Sequence, residues 1–169
     1  MSGGQNSDAV SALAAEVLAA ARAHCDLIAT AESCTGGLVS AALTSVPGSS
    51  DVFDRGFVTY SNSAKEQMLG VSHEDLLKYG AVSEEIALQM AMGAKKHSKA
   101  AVIVSATGIA GPGGGMPGKP VGLVHFGWCI GDQLAVCDAR VFEGDRNSVR
   151  QQTVLHALEG IVSRLESHV

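Results

Sequence analysis

An apolar run, Leu27-Ile28-Ala29, stops at Ala31-Glu32-Ser33-Cys34-Thr35-Gly36-Gly37, and a helical pattern starts directly after it. A strand that turns this sharply into a helix is a building block of layered α/β folds, and the turn presents its serine instead of burying it. A second run, residues 100–105, is β-branched and apolar in the manner of a strand covered on both faces. It leads into Thr107-Gly108-Ile109-Ala110-Gly111-Pro112. Ligands of such folds sit outside the carboxyl ends of the strands, so the two turns form one site if their strands are neighbours.

The remaining pattern fills in the layers. Val10, Leu13, Ala14, Val17, Leu18 and Ala21 recur at helical spacing and predict an amphipathic helix capped by Ser7 or Asp8, with residues 1–7 a loose tail. Strands are predicted over 26–30 and 53–60, a helix from Leu38 through Leu43 ending near Pro47-Gly48, and short helices over 63–69 and 73–78. Ser83 caps a longer helix with Ile86, Met90 and Ala94 on one face. Residues 121–130 and 133–142 read as strands joined at Gly131-Asp132, hence antiparallel, and a helix over 147–166 carries Leu155, Leu158 and Val162 on its core face. Nothing marks a second domain. The expectation is one domain over 1–169, a three-layer α/β/α sandwich with a mixed, mostly parallel sheet.

Composition removes several function classes. With a net charge of -5 and no basic run beyond Lys95-Lys96, the chain lacks the electrostatic footprint for nucleic acid or an acidic membrane surface. No apolar stretch approaches the ~20 residues of a spanning helix, and the first residues lack the pattern of a signal peptide, so the cytoplasm is expected. Cys25, Cys34, Cys129 and Cys137 form no C-x-x-C pair and read as reduced thiols; neither a metal nor a cofactor is expected. Residues 113–119 satisfy G-x-x-x-x-G-K, but Pro120 and a following strand reject a phosphate-binding loop of that type. None of the six histidines falls in either turn, so a Ser-His-Asp triad has no obvious members, and His125 reads as structural.

The serine turn admits two readings. Unpaired N–H groups at the start of the following helix can receive an anion or an oxyanion, with Ser33 poised beside them. Alternatively Ser33 or Thr35 simply caps that helix.

Several segments carry a resemblance in order along the chain: Ala31 to Gly37, Phe57-Val58-Thr59-Tyr60-Ser61-Asn62 with Lys65, Gly80-Ala81-Val82-Ser83, Thr107 to Gly113, Lys119-Pro120-Val121-Gly122, and Gly144-Asp145-Arg146. Together they resemble the CinA C-terminal domain family in its stand-alone form, over nearly the whole chain. The resemblance implies hydrolysis of nicotinamide mononucleotide to nicotinic acid mononucleotide and ammonia in pyridine nucleotide salvage. It implies Ser33 as nucleophile, Lys65 and Tyr60 near it, and Arg146 on the phosphate. Thr35, Gly36, Gly37, Asn62, Thr107 and Gly108 complete the expected substrate-binding set. The partner expected is this small nucleotide, with no nucleic acid and no membrane; association into a homo-oligomer is left open.

The chemistry asks for the same residue types. Without histidine, a lysine can take the serine proton if it is neutral, and burial can lower its pKa by about 3 to 5 units. Tyr60 could relay the proton or fix the amine, against a strand-end tyrosine with its hydroxyl in water. Arg146 at a helix start could grip a phosphate together with the helix N–H groups, against a surface arginine paired with Asp145. Two alternatives to this amidase remain: a non-catalytic nucleotide-binding regulatory module, and an amidase for another small amide.

Overall fold

The computed structural model describes residues 2–24 and 26–167, with side chains from residue 7 onward. Its elements are α1 (Ser2–Ala23), β1 (Ile28–Glu32), α2 (Leu38–Thr44), β2 (Phe53–Val58), α3 (Asn62–Leu69), α4 (His73–Tyr79), α5 (Glu84–Lys96), β3 (Val102–Gly108), β4 (Leu123–Ile130), β5 (Val136–Val141) and α6 (Arg146–Glu166). The strands form one sheet in the order β2-β1-β3-β4-β5. β1 pairs in parallel with β2 and β3, while β4 is antiparallel to both β3 and β5. Four strands thus share a direction and only β4 opposes them, so the sheet is mixed and mostly parallel, as expected.

Period-two alternation divides the core between the two faces. Ile28, Val102, Val104, Phe126 and Trp128 pack with α1, α2 and α6, whereas Ala29, Ala31, Ile103 and Cys129 pack under α3, α4 and α5. Burial on both faces is why the β3 run is apolar without interruption. Small residues set the layer spacing. The Ser105 hydroxyl donates to the Ala87 carbonyl of α5 at 2.6 Å, and a Cβ on Gly127 would stand 2.7 Å from that same oxygen.

Element boundaries moved where neighbours decide them. β1 runs two residues beyond the expected 26–30 because Glu32 still pairs with Val58 and Ala106. β3 includes Thr107 and Gly108, which face His125 and Val124 across the ladder, so the glycine loop starts only at Ile109. β5 starts at Val136 instead of residue 133, since the Gln133 N–H closes a turn on the Ile130 carbonyl. The expected loose tail and its Ser7 or Asp8 cap are corrected in part: Ser7 lies inside α1, its carbonyl accepting from the Ser11 hydroxyl at 3.0 Å. Met1 and the side chains of residues 2–6 lie outside the described residues, as does Cys25; Cys34, Cys129 and Cys137 are free thiols. Among the described residues no helix is long and apolar enough to cross a membrane.

From β1 the chain steps to β2 on one side, then crosses to β3 on the other. That reversal opens a crevice at the carboxyl ends of β1 and β3, the place where ligands bind in open α/β sheets.

Candidate active site

Ser33 is the first residue past β1, and its N–H donates to the Ala106 carbonyl of β3 at 2.9 Å. Thr59, just past β2, donates its N–H to the Glu32 carbonyl at 2.8 Å. Ser61 then caps α3, its hydroxyl accepting from the Ala64 N–H at 3.0 Å, which brings Lys65 over the end of β1. The Lys65 amine lies 2.9 Å from the Ser33 hydroxyl, 2.8 Å from the Thr59 carbonyl and 3.5 Å from the Tyr60 carbonyl. Lys65 Nζ can donate to all three oxygens, and in the neutral amine the Ser33 hydroxyl can turn to donate to the lone pair.

Lys65 is only 1% exposed. Burial pushes its pKa down from 10.5 to about 8, because the charged form loses its water. Its neighbour Cys34 offsets this only in part, since burial raises that thiol itself to about 11.

Glu32, the last residue of β1, organises the turn. One carboxylate oxygen accepts from the Thr35 hydroxyl at 2.6 Å and from the N–H groups of Gly37 at 3.0 Å and Val39 at 3.1 Å. The other accepts from the Ser40 N–H and hydroxyl, both at 2.8 Å, and from the Thr30 hydroxyl at 3.3 Å. An anion at a helix start is favoured by the dipole and the unpaired donors there. Those donors are therefore spent inside the protein, which corrects the expectation that the α2 N–H groups receive a ligand. It also removes Ser33 from capping duty, since Gly37 is the N-cap residue and Glu32 supplies the carboxylate. Glu32→Gln keeps the shape but turns an NH₂ toward these donors; unfolding in urea should show a loss of about 2–3 kcal/mol.

A cleft of about 230 Å³ brings seven of the expected residues together. Ser33, Lys65, Tyr60, Asn62, Thr107, Gly108 and Arg146 all line it, together with Cys34. Ala81, Val82 and Ala110 add an apolar wall, and no histidine lines it. Thr35, Gly36 and Gly37 are not among the lining residues. Their place is in the turn's internal bonding.

The Tyr60 hydroxyl is not on the amine: it accepts from Arg146 Nη2 at 2.9 Å, while Arg146 Nη1 donates to the Gly111 carbonyl at 3.0 Å. The Lys65 amine is instead held by backbone carbonyls, those of Thr59 and Tyr60. Asp145 does not pair with Arg146 either, because it caps α6 by accepting from the Ser148 N–H at 2.8 Å. That carboxylate occupies the helix start, so a phosphate would meet the arginine and not the helix N–H groups.

A larger groove of about 700 Å³ lies where α1, α2 and α6 meet, but it presents Glu143 and Asp145 and no cation. A phosphorylated ligand is repelled there.

The family model of the CinA C-terminal domain matches residues 10–165. The chain belongs to that family. Nicotinamide-nucleotide amidohydrolase PncC of Enterobacter agglomerans is 48% identical over 147 residues, covering 87% of this chain and 90% of that protein. The protein of the same name from Escherichia coli (strain K12) is 47% identical over 147 residues, 87% of this chain and 89% of the other. The crystal structure of competence/damage inducible protein CihA from Agrobacterium tumefaciens superposes with a TM-score of 0.89 at 46% identity, covering 94% of this chain and 96% of that one.

Within this CinA domain the sequence reading missed three groups that bond the serine turn or hold Lys65. Glu32 carried a usable signal, an acidic residue just ahead of a helix. Arg150 carried a weaker one, standing four residues after Arg146 on the same helical face. The Thr59 carbonyl carried none, because a backbone acceptor has no side-chain signature.

Proposed function

We propose that this CinA domain hydrolyses the carboxamide of nicotinamide mononucleotide to nicotinic acid mononucleotide and ammonia, as the name of its PncC relatives describes for them. The observation that carries the reading is the buried Lys65 amine at 2.9 Å from the Ser33 hydroxyl. Lys65 takes the hydroxyl proton as Ser33 Oγ bonds to the amide carbon. The resulting oxyanion needs a donor, and the Cys34 N–H is the one that sits on a residue lining the cleft. Hydrogen bonds to oxygen engage the N–H groups of Ser33, Gly36, Gly37, Leu38, Val39 and Ser40, but not those of Cys34 and Thr35 among the described residues. The protonated Lys65 then returns its proton to the nitrogen as the C–N bond breaks, releasing ammonia and leaving an ester on Ser33. Water adds to the ester with Lys65 again accepting the proton, and collapse returns the serine and the carboxylic acid.

Arg146 suits the phosphate. Among the described residues Arg146 forms no ion pair, and its hydrogen-bond partners, the Tyr60 hydroxyl and the Gly111 carbonyl, are neutral. Tyr60 holds the guanidinium, and Ala81, Val82 and Ala110 offer an apolar wall to the ring. Arg146→Ala should raise KM at least about tenfold and change kcat by less than about threefold, read from initial rates across substrate concentration.

The direct test measures ammonia released from nicotinamide mononucleotide, free nicotinamide and the full dinucleotide. Turnover of the mononucleotide above the other two is expected. Thermal stabilisation by the mononucleotide without ammonia would instead make the domain a nucleotide-binding module, and preference for another compound would make it an amidase of different specificity.

A further inference from the structure

We propose that the Thr107 hydroxyl is a specificity-determining acceptor that reads the NH₂ of the substrate carboxamide and disfavours the carboxylate product, an inference that rests on the amidase reading above. β1 and β3 pair in parallel up to Glu32 and Ala106, and the Ser33 N–H donates to the Ala106 carbonyl at 2.9 Å, so Ser33 and Thr107 stand abreast at the carboxyl ends of the two strands. Both line the cleft. Thr107 is only 1% exposed, which makes it part of the cleft floor beside the nucleophile.

The polarity of that hydroxyl is fixed from behind. A threonine hydroxyl has one proton and two lone pairs. The Thr107 hydroxyl donates its proton to the Ala81 carbonyl at 2.8 Å, just as Ser105, two residues earlier on the same face of β3, donates to the Ala87 carbonyl of α5. Turning the proton toward a ligand would break that bond in a buried setting. Thr107 therefore offers the cleft lone pairs alone. A carboxamide carries one acceptor and one donor group, and the Cys34 N–H and the Thr107 oxygen answer them one to one, with the carbonyl oxygen toward the first and the NH₂ toward the second. The acid formed by hydrolysis keeps the phosphate, ribose and ring but exchanges the NH₂ for an anionic oxygen, which meets a lone pair at Thr107. A site built to bond an N–H rejects the analogue that lacks it, because its own acceptor is left unpaired. The product is thus held more weakly than the substrate, and the cleft clears.

The experiment titrates nicotinamide mononucleotide and nicotinic acid mononucleotide by calorimetry into the Ser33→Ala chain, where loss of the nucleophile keeps the amide intact, with Thr107 either retained or changed to Val, Ala or Ser. Titrations are run at pH 9, where Lys65 is mostly neutral and does not attract the carboxylate. With Thr107 retained, the amide should bind at least about tenfold more tightly than the acid. Thr107→Val and Thr107→Ala should weaken the amide about five- to twentyfold and leave the acid within about threefold, so that the two dissociation constants converge. Thr107→Ser should keep the original ratio. Acid bound as tightly as amide with Thr107 retained overturns the proposal whatever the variants do. So does a parallel loss for both ligands in Thr107→Val and Thr107→Ala, which marks the hydroxyl as a mere brace for the Ala81 carbonyl. Wild type is assayed alongside for ammonia: no release from nicotinamide mononucleotide overturns the amidase reading and this inference with it, whereas release together with an unchanged ratio in Thr107→Val overturns the inference alone.

Discussion

Ser33→Ala is expected to lower ammonia release from nicotinamide mononucleotide at least about ten-thousandfold while changing the substrate dissociation constant by less than about threefold. The asymmetry has a structural source. Arg146, Asn62 and the wall of Ala81, Val82 and Ala110 are untouched by the substitution, so binding keeps its contacts and only the attacking atom is lost. Lys65 keeps its acceptor on the Thr59 carbonyl. The variant should also fold normally, because Ser33 caps nothing: Glu32 takes the N–H groups of Gly37, Val39 and Ser40. A serine kept only as a helix cap predicts the reverse, a loss of roughly 1 kcal/mol of stability with the rate intact. A coupled ammonia assay and calorimetric titration on the same preparation read both quantities, and an unchanged rate in Ser33→Ala would end the case for serine catalysis.

What was legible in the sequence is what depends on local pattern or on burial by many neighbours. The β3 run is apolar because both its faces are covered, and α6 shows its core face through Leu158, Ile161 and Leu165 at helical spacing. Strand order is of another kind. Nothing within residues 28–32 or 102–108 states that they lie side by side, and the union of the Ser33 turn with Thr107 and Gly108 depends wholly on that pairing. Lys65 shows the same divide more sharply. Asn62–Leu69 is a short, polar helix, and a lysine in its middle reads as solvated until Thr59 and Ser33, arriving from β2 and β1, close over the amine. Only the family resemblance pointed to it. Tyr60 lines the same cleft, but its hydroxyl meets Arg146, a residue 86 positions away along the chain, and only its backbone carbonyl approaches the Lys65 amine.

Lys65 also makes the site pH-dependent, and the direction is fixed by burial. With a pKa of about 8, the amine is neutral, and so able to accept the serine proton, in roughly a tenth of molecules at pH 7 and nine tenths at pH 9. kcat/KM should therefore climb nearly tenfold per pH unit below pH 7 and level off above about 8.5. Cys34, raised to about 11, does not titrate in this range and cannot mimic the profile. Lys65→Arg keeps a positive charge and hydrogen-bond donors but no accessible neutral form, and Lys65→Met keeps only bulk; each should lose about a thousandfold in kcat on the high-pH plateau and lose the climb with pH. Stability carries the same signature. The folded pKa of about 8 lies below the unfolded value of 10.5, so the unfolded chain binds more protons between them and wild type gains on the order of 3 kcal/mol as pH rises through that window. Lys65→Met lacks this rise. Because its unpaired Thr59 carbonyl adds a pH-independent offset, the slope of the wild-type-minus-variant difference is the quantity to follow in denaturant titrations from pH 7 to 10.5. A flat difference, together with a rate that ignores pH between 6 and 9, would mean that Lys65 enters the cleft already neutral or never accepts the proton, and a base would have to be sought elsewhere.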